Sequence, residues 1–157
     1  MPSPMTTRRA AAIAALAATL IAPFEGMDAV AKPDRLAHGL PTVCYGMTSY
    51  DRPVSVGDTY SPDECMAFLV KDIPKYKRGL DKCIHANITN HQWAAAISLG
   101  YNIGDGAVCK STFVKRLNAH DPLACDSILA YDRASGRVIR GLQRRRQAER
   151  KVCYTKD

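Results

Sequence analysis

Glu25, Asp34 and Thr42 fall in one short span of this chain, directly after an apolar stretch. Cleaving a glycosidic bond needs one carboxyl that gives a proton to the leaving oxygen. It also needs a second group across the bond that steers a water or attacks the sugar. Glu25 sits in Phe24-Glu25-Gly26 at the close of the apolar segment, Asp34 follows nine residues later, and Thr42 lies in a β-prone piece running to Tyr45. Glu25 is therefore the candidate acid, with Asp34 and Thr42 as the pair that holds the water. Each also has an ordinary reading: a helix-end carboxylate, a turn residue after Pro33, and a strand residue. Thr48 is a second hydroxyl competing with Thr42.

The motifs around these residues continue along the chain. They are Leu40-Pro41-Thr42-Val43-Cys44-Tyr45-Gly46-x-Thr48, Tyr101-Asn102-Ile103-Gly104, Cys109-x-Ser111-Thr112, and Gly141-Leu142 with Arg144-Arg145, followed by Glu149 and Cys153. In this order they resemble the phage-type lysozymes of glycoside hydrolase family 24, the endolysins that cut the bacterial wall from inside, over most of residues 22–153. Two departures stand out: the step from Asp34 to Thr42 is longer than the family pattern, which puts extra residues in that hairpin, and Met47 stands where a histidine is common. The resemblance implies hydrolysis of the β-1,4 bond between N-acetylmuramic acid and N-acetylglucosamine. Glu25 would be general acid, Asp34 and Thr42 would hold the attacking water, and Tyr101, Asn102 and Arg145 would meet substrate. Whether the outcome inverts or retains depends on the separation of the carboxyls.

The elements that must place Glu25 begin at the amino terminus. Arg8 and Arg9 precede Ala10 to Ala22, an uncharged run with eight alanines, together with Ile13, Leu16, Leu20 and Ile21. This has the form of a secretory signal. A helix over residues 10–24 would span roughly 22 Å against a hydrocarbon core of roughly 30 Å, so it would hold poorly in a bilayer. Cutting after Ala29-Val30-Ala31 would remove Glu25, so an uncleaved segment is expected. The segment is similar to the signal-anchor-release elements of some endolysins. That resemblance implies export to the periplasm, transient tethering to the inner membrane through residues 10–24, and release as the first helix of the folded body. Only Pro23 and Phe24 separate the run from Glu25, which predicts that the tethered form is inactive. Residues 1–24 are thus read as the anchor-like segment and 25–157 as a single catalytic domain.

Six cysteines, Cys44, Cys65, Cys83, Cys109, Cys125 and Cys153, are too many for a reduced cytosolic domain and show no zinc-ligand spacing. Disulfides are expected; six cysteines allow many connectivities and the sequence does not decide among them, with pairing of neighbours, 44 with 65, 83 with 109 and 125 with 153, favoured because each closes a modest loop. His38, His85, His91 and His120 lack ligand spacing, so neither metal nor cofactor is expected. A net charge of +7 favours an anionic partner. Peptidoglycan with its peptide carboxylates, a lipid surface and nucleic acid all fit the charge, which alone does not choose among them; export and disulfides argue against nucleic acid, and a monomer acting on peptidoglycan is expected. Arg144, Arg145, Arg146, Arg150 and Lys151 read as a solvated basic helix face.

At 157 residues the chain can bury a real core. Pro33, Gly39, Pro41 and Gly46 punctuate short β-prone pieces, which predict a small twisted hairpin or sheet. Ser61-Pro62-Asp63-Glu64 opens a helix that Pro74 is expected to end. Thr89 or Asn90 opens another, stopping at Gly104, with Trp93, Ile97 and Tyr101 on one stripe. Helices are also expected over 111–117, 122–131 and 140–152. The fold class is therefore α+β and mostly helical: a small β segment and a helical lobe with a cleft between. Rival readings of such a chain are a wall-binding module without catalysis, a basic nucleic-acid binder, and a chitinase-like enzyme.

Overall fold

The computed structural model describes residues 4–34, 38–48, 50 and 52–157. Its first element, α1 (Pro4–Ile21), begins upstream of the expected start. Ile13, Ala14, Ala17, Ala18 and Ile21 recur at helical spacing and are buried in the common core. Residues 13–21 are therefore packed against the body as part of its first helix rather than standing apart. Small side chains let α1 approach α3 (Asn90–Ile103), which itself presents fully buried Ala94, Ala95 and Ala96. Alanine buries little apolar area, so this docking gains less per residue than a leucine-rich face would. Thr6–Phe24 also has the length and composition to cross a membrane.

Three antiparallel strands follow in the order β1 (Asp28–Asp34), β2 (Leu40–Cys44) and β3 (Met47–Thr48). Asp28 pairs with Cys44 but Lys32 with Thr42, so β1 carries two more residues than β2 across that interval. The irregularity bends the sheet and leaves Asp34 opposite Leu40 near the hairpin end. There the Gly39 N–H donates to the Asp34 carbonyl at 2.7 Å. Of the longer hairpin expected between Asp34 and Thr42, residues 35–37 lie outside the described residues. Gly46, at φ +82°, makes the tight β2–β3 turn that an L side chain would strain.

α2 (Pro62–Asp81) starts with the expected capping box between Ser61 and Glu64, but it runs straight through Pro74. The proline removes one helical hydrogen bond, at a cost of about 3 kcal/mol. Beyond it Leu80 is fully buried, and Ile73 beside it is 1% exposed. Two such side chains contribute roughly 3–6 kcal/mol, which offsets the proline. A second capping box, Thr89 with Gln92, starts α3, which stops at Gly104 (φ +91°). α4 (Asp105–Cys109) and α5 (Thr112–Asn118) come next. The expected helix over 122–131 is instead a 3-10 turn at Ala124–Ala130. The two-residue turn Ser135-Gly136, both at positive φ, joins the unforeseen hairpin β4 (Arg133–Ala134) and β5 (Arg137–Val138). α6 (Arg140–Tyr154) closes the fold.

Disulfides join Cys44 to Cys65, Cys83 to Cys109 and Cys125 to Cys153, each cysteine to its neighbour along the chain. The first pins β2 to α2, the second fixes the end of α2 to α4, and the third ties the 3-10 turn to α6. Together they fasten the sheet and the carboxyl-terminal helices to the same long helix and core.

Candidate active site

Glu25 is set by the turn that ends α1. A 3-10 turn over Ala22–Phe24 tightens the end of the helix, and the Glu25 N–H returns to the Ala22 carbonyl at 3.3 Å. The carboxyl then meets α6: Arg145 Nη1 donates to Glu25 Oε1 at 2.6 Å. The guanidinium, 4% exposed, also donates from Nε to Glu149 Oε1 and from Nη2 to the Ser98 carbonyl, each at 3.2 Å. One planar fork thus binds α1's end, α3 and α6 together. Glu25 opens onto a cavity of about 530 Å³ whose walls include Phe24, Asn102, Leu142 and Arg144.

Behind Arg145 lies a buried charge network that corrects the solvated-face reading of the arginine cluster. Arg145 is 3% exposed, and Arg146 and Glu149 are fully enclosed. Ser98 Oγ donates to Glu149 Oε1 at 2.7 Å, and Arg146 Nη2 donates both to that oxygen and to Asn102 Oδ1, the latter at 2.8 Å. Burial pushes the Glu149 carboxyl up against the pull of Arg146 and the Ser98 hydroxyl, and pushes the Arg146 guanidinium down. Arg144, Arg150 and Lys151 keep their places on the exposed side; Arg145 and Arg146 do not. A signal for this was present: Leu142, Arg146, Glu149 and Cys153 recur at helical spacing, and a stripe shared with a disulfide cysteine is an inward stripe.

On the sheet, Thr42 and Asp34 are brought together, with Thr42 Oγ1 3.5 Å from Asp34 Oδ2. Thr42 is also the residue across from Thr48. Thr48 Oγ1 accepts from the Tyr50 N–H at 3.3 Å. The two hydroxyls thus have different partners, and it is Thr42 that faces the aspartate.

Tyr101 and Asn102, adjacent on α3, serve different spaces. Asn102 lines the Glu25 cavity, while Tyr101 lines a second cavity of about 270 Å³ with Tyr45, Tyr50, Asp72, Lys75 and Tyr76. The Tyr101 hydroxyl donates to the Tyr45 carbonyl at 2.9 Å, a direct tie between helical lobe and sheet. Burial, with Tyr76, Glu25 and Asp72 nearby, pushes its phenol far above the ordinary range. Sequence reasoning missed this tyrosine cluster. It also missed Arg52, which pairs with Asp72 at 3.1 Å and stacks 4.0 Å from the Phe68 ring centre. Among the described residues no cluster of metal-binding side chains occurs.

Residues 22–149 match the family model for phage lysozyme. The chain is 33% identical to the SAR-endolysin of Enterobacteria phage P21 over 98% of its own length and 97% of that protein's. With the SAR-endolysin of Bacteriophage PS119 the identity is 36%, over 82% and 77% of the two chains. Among solved structures, a point mutant of P22 lysozyme superposes with a TM-score of 0.77 at 25% identity, covering 88% of this chain and 95% of that one. The helical body and small sheet are thus those of the lysozyme kind of glycoside hydrolase, and the chain belongs to the phage lysozyme family.

Proposed function

We propose that the chain is an endolysin muramidase that hydrolyses the β-1,4 bond between N-acetylmuramic acid and N-acetylglucosamine in peptidoglycan. Glu25 is the general acid. The observation that carries this reading is its placement: Glu25 is gripped through Oε1 by a buried arginine while its side chain faces an open cavity. A fixed carboxyl beside a cavity suits delivery of a proton to the leaving sugar oxygen. Asp34 and Thr42 hold the attacking water between carboxylate and hydroxyl, and Tyr101 and Asn102 border the saccharide. Arg145 serves by orienting Glu25.

The amino-terminal segment adds a control step. Exported to the periplasm and tethered through residues 10–24, the chain holds Glu25 at the lipid surface, away from Arg145 and α6, and is inactive. Release lets α1 dock as it does here and brings the acid to its arginine. The supporting observations are the apolar span Thr6–Phe24, its burial against α3, and the two residues between it and Glu25. The released enzyme acts as a monomer.

The deciding experiment compares the purified chain with folded Glu25→Gln. It follows clearing of outer-membrane-permeabilised Gram-negative cells and reducing-end release from isolated peptidoglycan. Wild-type clearing with muramic-acid reducing ends, both absent in Glu25→Gln, is expected. Wall binding without cleavage by either protein would replace this reading with a non-catalytic wall-binding module.

A further inference from the structure

α2 carries a row of cations that the catalytic reading does not use. Lys71, Lys75, Arg78 and Lys82 follow one another at spacings of four, three and four residues, which places them on one narrow face over about 16 Å. All four are exposed, and among the described residues none forms an ion pair with a carboxylate. The other lysine of this helix, Lys77, is bonded to Asp81 on a different face. At its far end the row continues off the helix: Lys82, Lys110 and Lys115 border a cavity of about 490 Å³ together with His85 and Asn118. The carboxyls close by are Asp105, which feels both Lys75 and Lys82, Asp72, which lines the tyrosine cavity with Lys75 and is paired with Arg52, and Asp81, which is bonded to Lys77.

The other end of the row enters the candidate cleft, since Lys75 lines the tyrosine cavity beside Tyr101. We infer that this row is a docking track for the carboxylates of peptidoglycan stem peptides, guiding a strand whose sugars lie in the cleft. The inference rests on the muramidase reading. Continuity with the cleft favours the wall over an anionic lipid surface. Interfacial lipid binding also wants apolar side chains to insert, and the exposed large hydrophobic residues, such as Tyr50, Leu123 and Ile139, lie off α2 and off residues 105–118.

The test uses Arg78→Gln/Lys82→Gln/Lys110→Gln/Lys115→Gln, four exposed positions away from Glu25, with an unchanged Tm as the fold control. Substrates are sacculi with native stem carboxylates and the same sacculi with those carboxylates capped as amides by carbodiimide coupling. The wild type should show a KM roughly tenfold lower on native than on capped sacculi at low salt, as expected for a few screened surface pairs acting together. The variant should lose that difference with kcat unchanged. Equal KM values for wild type and variant on native sacculi would overturn the track. A variant that keeps the native-to-capped ratio but no longer sediments with phosphatidylglycerol vesicles would overturn it in favour of lipid. If the wild type releases no reducing ends from either substrate, it is the muramidase reading that fails. Co-sedimentation with native and capped sacculi then still tests the track.

Discussion

Replacing Arg145 with lysine keeps the charge and removes the fork. The guanidinium meets Glu25, Glu149 and the Ser98 carbonyl from three nitrogens, whereas an ammonium at that depth reaches one of them. Two charge-assisted hydrogen bonds are lost at a site almost closed to water, each worth about 1.5 kcal/mol, or about 3 kcal/mol together. For a domain of this size that lowers Tm by roughly 6–12 °C. Release of Glu25 from its fixed position should lower kcat by about 10²-fold, the scale expected for a displacement of about 1 Å. Calorimetry and reducing-end release on the same preparations read the two effects. The Glu25→Gln background separates them, because Arg145→Lys should there cost stability but no further activity. A Tm within about 2 °C of wild type and a kcat within about twofold would refute the claim that the fork both holds the lobe and aims the acid.

Four further outcomes are expected. Thr42→Val keeps a β-branched strand residue and removes the hydroxyl facing Asp34, so kcat should fall roughly 10²-fold with little change in Tm. Burial pushes the Asp105 carboxyl up, so the folded state binds its proton more tightly than the unfolded chain does, and stability is lost as pH rises from the ordinary aspartate range. Asp105→Asn should therefore raise Tm at neutral pH, and the gain should vanish by about pH 3 in a pH series of melts. Cys44→Ala/Cys65→Ala unpins the sheet from α2 and should cost about 3 kcal/mol in urea denaturation. Ala11→Leu/Ala15→Leu adds apolar area on the exposed side of docked α1, so it should leave packing intact while raising the membrane-retained fraction and delaying clearing of cells.

Local chemistry accounts for what was legible in advance. The capping box at Ser61, the helix start offered by Thr89 or Asn90, the stop at Gly104 and the β-prone run before Gly46 depend on neighbours in sequence, and they appear in the structure where they were read, with Thr89 as the cap. The cysteine pairing followed loop length. Pro74 was misjudged because its cost is local, whereas the burial that outweighs it comes from distant residues. The arginine cluster was misjudged for the same reason: charge alone suggests solvent, and the acceptors on Ser98, Asn102 and Glu25 become visible only once α1, α3 and α6 meet. The pairing of Glu25 with Arg145 joins residues 120 positions apart, a separation at which periodicity carries no information.

That separation also sets an order of events. α1 packs mainly on α2 and α3, both of which follow it in the chain. Arg9 cannot grip Asn90 and the Ile88 carbonyl until more than half the chain has followed it. Asp157, the final residue, caps the same start of α3 through Asn90 and His91. Until α2 and α3 have followed it, the first helix therefore has no surface of its own body to pack on. That interval is written in the order of the helices as well as in their hydropathy, and a circular permutant that moves α1 behind α6 would abolish it.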